Sequence, residues 1–401
     1  MRLALVSQEY PPETAYGGIG TQNFAKAHGL AALGHDVHVI AHSTDDQTHE
    51  CNDGPVRVMR IPGADRDFRL ATEEARWITY STRVAAAIAA LHARRPLDLV
   101  EFPDWGSEGF VHLLNQSEWN HIPAVVHLHG PVVMFAHAIG WPDPDSGFYR
   151  VASMMEETCM RRADAVFSSS RCSAQWCERF YGLNCEAVPV IHTGVDTRAF
   201  RPGGAPKYDR PTIIFVGKIE RNKGIDLLVE AACRVATQIP DLQLRVVGSG
   251  NENLKSELKR RAAQVSCSTL LDFIGFVNHH ELPQHLSRAH VFAAPSDYEG
   301  GPGFVYLEAM ACGLPVIACS GSGASEVVQP EENGLLVPPR DVDALAQALL
   351  HLLRQHDCRE RMGRQAREFA VREVDRERCL RRLESFYLSV VNKQVRQEAV
   401  C

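Results

Sequence analysis

Two lysines, two glutamates and a glycine-rich turn in the second half of the chain are well suited to hold an anion that also carries hydroxyl groups. Lys218 and Lys223 lie in FVGKIERNKGID, residues 215–226, between an apolar run and a helical pattern that starts at Gly224. Ammonium groups act as point charges on phosphate oxygens, so a lysine pair suits a flexible diphosphate. Residues 294–317 read APSDYEGGPGFVYLEAMACGLPVI. The prolines and glycines of 295–303 force a turn, and residues 304–312, which lack both, predict a helix. Amides of a glycine-rich loop and of a helix N-terminus attract anions, which makes Gly303, Phe304 and Val305 candidates for phosphate contact. Glu299 and Glu308 bracket that point, and ionised carboxylates accept hydrogen bonds from sugar hydroxyls.

Such residues need a scaffold that gathers strand ends. Apolar runs at 2–7, 36–41, 56–60, 97–101, 124–128, 165–168 and 187–191 predict strands, and 21–33 and 73–91 predict helices between them. In the first of these helices Phe24, Ala27, His28 and Ala31 share one side. The order strand, helix, strand predicts doubly wound parallel α/β structure. A second series follows, with strands at 212–216, 243–247, 271–274, 291–294 and 315–318, and helices from Gly224 and at 342–353. At 401 residues the chain accommodates two domains of under about 200 residues each. The division read here is a first domain at 1–195, a linker at 196–210, and a second domain at 211–374. The terminal segment 375–401 is read as a helix returning to the first domain. Open parallel sheets bind ligands beyond the carboxyl ends of their strands, and both the lysine loop and the Glu299 loop fall there. That position separates them from ordinary solvated turns.

Composition removes several alternatives. Hydrophobic content of 45% with 23% charged residues is that of a globular protein, and a net charge of -7 argues against nucleic-acid binding. Twelve cysteines are scattered without a CxxC pair, so they read as reduced thiols and not as a zinc site. No apolar run reaches the length of a membrane span, which leaves a cytoplasmic protein that meets a membrane, if at all, at its inner surface. VVGSG at 246–250 mimics half of a dinucleotide fingerprint, but Asn253 stands where the third glycine belongs. The Asp-x-Asp pairs Asp65/Asp67, Asp143/Asp145 and Asp341/Asp343 follow no strand and read as loop or capping acids, with no metal site and no cofactor expected.

On these stretches, with GGIG at 17–20, VVHLHGP at 125–131, VIHTGVDTRAF at 190–200 and SGSGASEVV at 320–328, the chain resembles the retaining glycosyltransferases of family 4 with the GT-B fold. The likeness covers almost the whole sequence. It implies two facing Rossmann-like domains with a deep interdomain cleft. It also implies metal-independent transfer of a hexose-type sugar, with retention, from a nucleoside-diphosphate sugar to a carbohydrate, lipid-linked or small-molecule acceptor, as in polysaccharide synthesis. In that family Lys218, usually arginine, and Lys223 hold the diphosphate. Glu308 binds the ribose, Glu299 meets the donor sugar, and Gly17, Gly18 and Gly20 face the phosphates. His129 approaches the reaction centre, and base contacts fall near Phe276 and Val277. The family spaces its two acids by seven residues, whereas eight separate Glu299 from Glu308, so either a bulge keeps Glu299 in role or Gly300 takes its slot. A sugar-nucleotide epimerase, a phosphorylase and a non-catalytic nucleotide-sugar-binding protein are the alternatives on the same fold. Trp105, Trp141 and Phe148 suit either stacking on acceptor sugar rings or covering the core.

Overall fold

The computed structural model describes residues 1–14, 18–64, 72–296 and 298–398, with side chains to 393. Gly17 and the pair Asp65/Asp67 lie outside the described residues. The chain forms two compact units: Met1–Thr193 with the chain from Cys379 onward, and Gly194–Arg378. Residues 196–210, read above as a linker, belong to the second unit, where Phe200 is buried and Lys207 donates to the Ala289 carbonyl.

The first unit has a seven-stranded sheet of β1 (Arg2–Val6), β2 (Asp36–Ser43), β3 (His49–Asp53), β4 (Val56–Pro62), β5 (Leu99–Pro103), β6 (Ala124–Leu128) and β7 (Ala165–Ser168), in the order β3-β4-β2-β1-β5-β6-β7. Every pairing is parallel except β3 with β4. Because side chains alternate across a strand, Leu3 and Leu5 of β1 join one core layer while Ala4 and Val6 join the other. Burial on both faces explains why residues 3–6, LALV, are continuously apolar.

Three features depart from the sequence reading. β3 is a polar, mostly exposed edge strand, HECND, with no apolar pattern to reveal it. Residues 187–191 form no strand; Pro189 has no amide to donate, and only a single bridge joins Ser168 to Val190. In the helix Gly18–Ala32 the buried side includes Asn23, Lys26, Ala27 and Leu30, whereas Phe24 is exposed. The cause is a charge, since Lys26 pairs with Glu101 of β5 in the interior. The Tyr387 hydroxyl, from the helix Arg376–Glu398, donates to the same carboxylate. His127 of β6 meets Lys26 at 3.0 Å through Nδ1 and Ser169 Oγ at 2.9 Å through Nε2. On that same terminal helix Leu380, Leu383 and Val390 enter the core layer of Leu3 and Leu5.

The second unit has a six-stranded, all-parallel sheet of β8 (Thr212–Val216), β9 (Gln243–Val247), β10 (Leu271–Gly275), β11 (Val291–Ala293), β12 (Val316–Cys319) and β13 (Gly334–Val337), ordered β10-β9-β8-β11-β12-β13. β13, only four residues of GLLV, was not foreseen. The strand order reverses between β8 and β11. Both sheets are Rossmann-like, with the loops after β8 and β11 opening at the switch point where such sheets take ligands.

Lys26→Met leaves the Glu101 charge buried without its cation. We expect it to cost the first unit about 3–5 kcal/mol, read as a lower urea midpoint for that unit by a fluorescence probe placed in it.

Candidate functional site

At the switch point of the second unit two loops are forced together. Gly224 has φ of 71°, and a Cβ there would lie 1.9 Å from the Pro295 carbonyl oxygen, so no other residue fits this contact. Ser296 Oγ lies 2.7 Å from the Tyr298 carbonyl and 3.0 Å from the Asn222 carbonyl, which sets its hydroxyl between the loop after β11 and the loop after β8. The result places Lys223 Nζ 2.8 Å from Glu299 Oε1. Burial alone would lower the Lys223 pKa, but the charge and hydrogen bond of Glu299 outweigh it and the ammonium is held above its ordinary value. Lys218 stands exposed just beyond β8.

The helix Phe304–Ala311 starts beside this pair. Its N-cap Gly303 makes no side-chain hydrogen bond, so no cap side chain occupies the first-turn amides around Phe304 and Val305. The Glu299 carboxyl carbon is 3.9 Å from the point where Gly303 would carry a Cβ. Two carbonyl contacts shape the same turn: the Gly323 amide donates to Glu299 O at 2.8 Å, and the Tyr306 hydroxyl donates to Ala294 O. One helical turn further on, Glu308 is buried, and His279 Nε2 meets its Oε1 at 2.6 Å. His279 comes from the loop after β10, which also carries half-exposed Val277 and the exposed ring of Phe276. Nothing in the sequence marks this histidine beyond its place after a strand end.

In the first unit, β6 delivers His129. Its amide donates to Asp104 Oδ1 at 3.0 Å, and that of Gly130 donates to Asp104 Oδ2 at 3.0 Å. Asp104, just past β5, is therefore the clamp of the His129 turn; desolvation raises its pKa to about 6 although three neighbouring amides pull it down. The His129 ring packs 3.8 Å from that of His127, and its buried Nε2 has no hydrogen-bond partner among the described residues. Desolvation first, then the nearby His127 and Lys26, depress its pKa well below the ordinary value, so the imidazole is neutral. Gly18 and Gly20 lie in the first turn of the helix Gly18–Ala32, and the Gly20 amide already donates to Glu9 Oε2 at 3.3 Å. An anion arriving there meets a carboxylate in place. Trp105 and Phe148 pack against the core around Trp77, while Trp141 is 55% exposed.

The rival motifs have structural uses. A Cβ on Gly248 of VVGSG would sit 2.0 Å from the Gly217 carbonyl, and Asp272 pairs with Arg245 at 3.1 Å. Asp341 caps the helix Val342–Arg354, Asp343 pairs with Arg234, and Asp143 turns back on the Asp145 amide. Among the described residues no helix is long and apolar enough to cross a membrane.

Comparison with known proteins agrees with this architecture. Residues 196–369 match the model of the glycosyl transferases group 1, and residues 17–194 match a glycosyl transferase 4-like domain. The alpha-maltose-1-phosphate synthase of Mycolicibacterium smegmatis is 30% identical over 95% of this chain and 95% of its own length. The glycogen synthase of Mycobacterium tuberculosis is 28% identical over 94% of this chain and 91% of its own. Among solved structures, sucrose-phosphate synthase from Thermosynechococcus elongatus superposes with a TM-score of 0.80 at 26% identity, over 98% of this chain and 99% of that one. The chain belongs to the group 1 glycosyl transferases and has their GT-B fold.

Lys223→Ala removes the cation from Glu299 and from any departing phosphate. We expect turnover to fall by about 100-fold or more while nucleoside diphosphate affinity falls less, measured by steady-state kinetics and calorimetry. Equal losses in both would argue against a role in the transition state.

Proposed function

We propose that the protein moves a hexose-type sugar from a nucleoside-diphosphate sugar to a carbohydrate, lipid-linked or small-molecule acceptor, with retention and without a metal. The observation that carries this reading is the Lys223–Glu299 pair beside the uncapped N-terminus of the helix Phe304–Ala311. Cation, first-turn amides and carboxylate there match the three parts of a sugar diphosphate. The named activities of the relatives, a maltose-1-phosphate synthase, a glycogen synthase and a sucrose-phosphate synthase, support sugar transfer as the chemistry.

In this reading Lys218 and Lys223 face the diphosphate together with the amides of Phe304 and Val305. Glu308 accepts from the ribose, Glu299 from the donor sugar, and the backbone near Val277 meets the base. Gly17, Gly18 and Gly20 are assigned to the donor phosphates, which requires Glu9 to yield the Gly20 amide. His129, neutral and with Nε2 unpartnered among the described residues, contacts the transferred sugar.

As the bond from the sugar carbon to the phosphate oxygen breaks, negative charge grows on the leaving diphosphate. Fixed ammonium groups and amides stabilise it there more than in the ground state. The acceptor oxygen bonds to the same face of the sugar carbon, and its proton passes to the departing phosphate oxygen. No protein base is needed for that step.

Incubation with UDP-, GDP- and ADP-sugars, with and without a chelator, tests the reading by mass spectrometry of released nucleoside diphosphate. Release from one donor that survives the chelator is expected. An isomerised sugar nucleotide, or release that the chelator abolishes, would contradict it.

A further inference from the structure

The carboxylate assigned above to the ribose is already engaged. His279 Nε2 lies 2.6 Å from Glu308 Oε1, and the Glu308 side chain is only 6% exposed against 52% for His279. The imidazole is therefore the solvent-side cover of a nearly buried acceptor. The imidazole also lies beside the Phe200 ring, with centroids 5.0 Å apart and planes tilted by 51°.

We propose that His279 competes with the donor's ribose for Glu308, so that nucleotide-sugar affinity is set by whether the imidazole is charged. This rests on the reading of Glu308 as the ribose carboxylate. A vicinal diol pairs best with both oxygens of one carboxylate, and one of the two is taken. For the diol to bind, the imidazole swings away.

The groups facing His279 define when it yields. From the helix Phe304–Ala311 comes Glu308, whose hydrogen bond and charge raise the imidazole pKa above its ordinary value of 6.5, against desolvation. Asp196 adds to that rise, and Arg376, itself 3.7 Å from Asp196, opposes it. A histidine raised in this way keeps its pair below the raised value and loses it as pH climbs past it. The hydrogen bond is charge-assisted in the first state and neutral in the second, hence weaker. Donor affinity consequently rises with pH.

A nucleotide sugar is the right probe, because its diphosphate, esterified at both ends, has no ionisation near neutrality that could mimic the effect. Calorimetric titration of the full-length protein with UDP-, GDP- and ADP-glucose at pH about 8.5 selects the tightest binder, which is then titrated down to pH about 5.5. We expect the wild-type Kd to rise at the acid end, by about three- to tenfold, as the imidazole gains its charge and holds Glu308 more tightly. His279→Gln keeps an exposed polar side chain and should bind at the alkaline affinity throughout, within about twofold. Parallel pH curves for wild type and His279→Gln overturn the inference and leave the donor site intact. So does weaker binding by His279→Gln at every pH, which would make His279 a ligand contact. If none of the three nucleotide sugars binds even at the alkaline end, the donor reading itself falls, and this inference with it.

Discussion

The contact on which the second unit's chemistry depends is the approach of Gly224 to the Pro295 carbonyl. A parallel sheet brings the ends of β8 and β11 side by side, but side-by-side strands do not by themselves put a lysine against a glutamate. The left-handed turn at Gly224, with the Ser296 hydroxyl set between the Asn222 and Tyr298 carbonyls, removes the space between the two loops. Only then does Lys223 reach Glu299 at 2.8 Å. A charge pair next to a helix N-terminus is pre-organised, so its dipoles need little reorientation when charge develops on a ligand.

The first unit solves a different problem, that of holding a histidine turn rigidly. Asp104 takes the amides of His129 and Gly130, and beneath the rings lie His127, Lys26, Glu101 and Tyr387. The buried charges of Lys26 and Glu101 are tolerated because each matches the other and takes further hydrogen bonds, whereas Asp104 is met by backbone amides alone. The Tyr387 hydroxyl ties the terminal helix into this network, so that helix contributes both apolar contacts and a polar one.

Much of this was legible in the sequence because parallel strands announce themselves as short apolar runs. β6, β7, β8 and β9 match the predicted bounds residue for residue. What was hidden has a common physical cause: polar or short segments whose state is decided by distant partners. HECND becomes a strand only through its antiparallel neighbour β4, and Pro189 denies the strand that the apolar residues around it suggest. Lys26 enters the interior because Glu101 waits there, and no periodicity records a partner seventy-five positions away. The clustering of Lys223, Glu299 and Gly303 could be inferred from strand-end positions. The pairing of His279 with Glu308 and the Asp104 clamp could not, since each joins segments whose approach is fixed only by the folded sheets.

The central claim is that a nucleoside diphosphate lies on the Lys223 loop and the N-terminus of the helix Phe304–Ala311. The most direct measurement is a crystal structure of the protein soaked with the nucleoside diphosphate of its preferred donor. The account predicts phosphate oxygens within hydrogen-bonding distance of Lys223 Nζ and the first amides of that helix, with the ribose on Glu308 in place of His279. A nucleotide ordered elsewhere, with Lys223 still bound only to Glu299 and His279 still on Glu308, would contradict it.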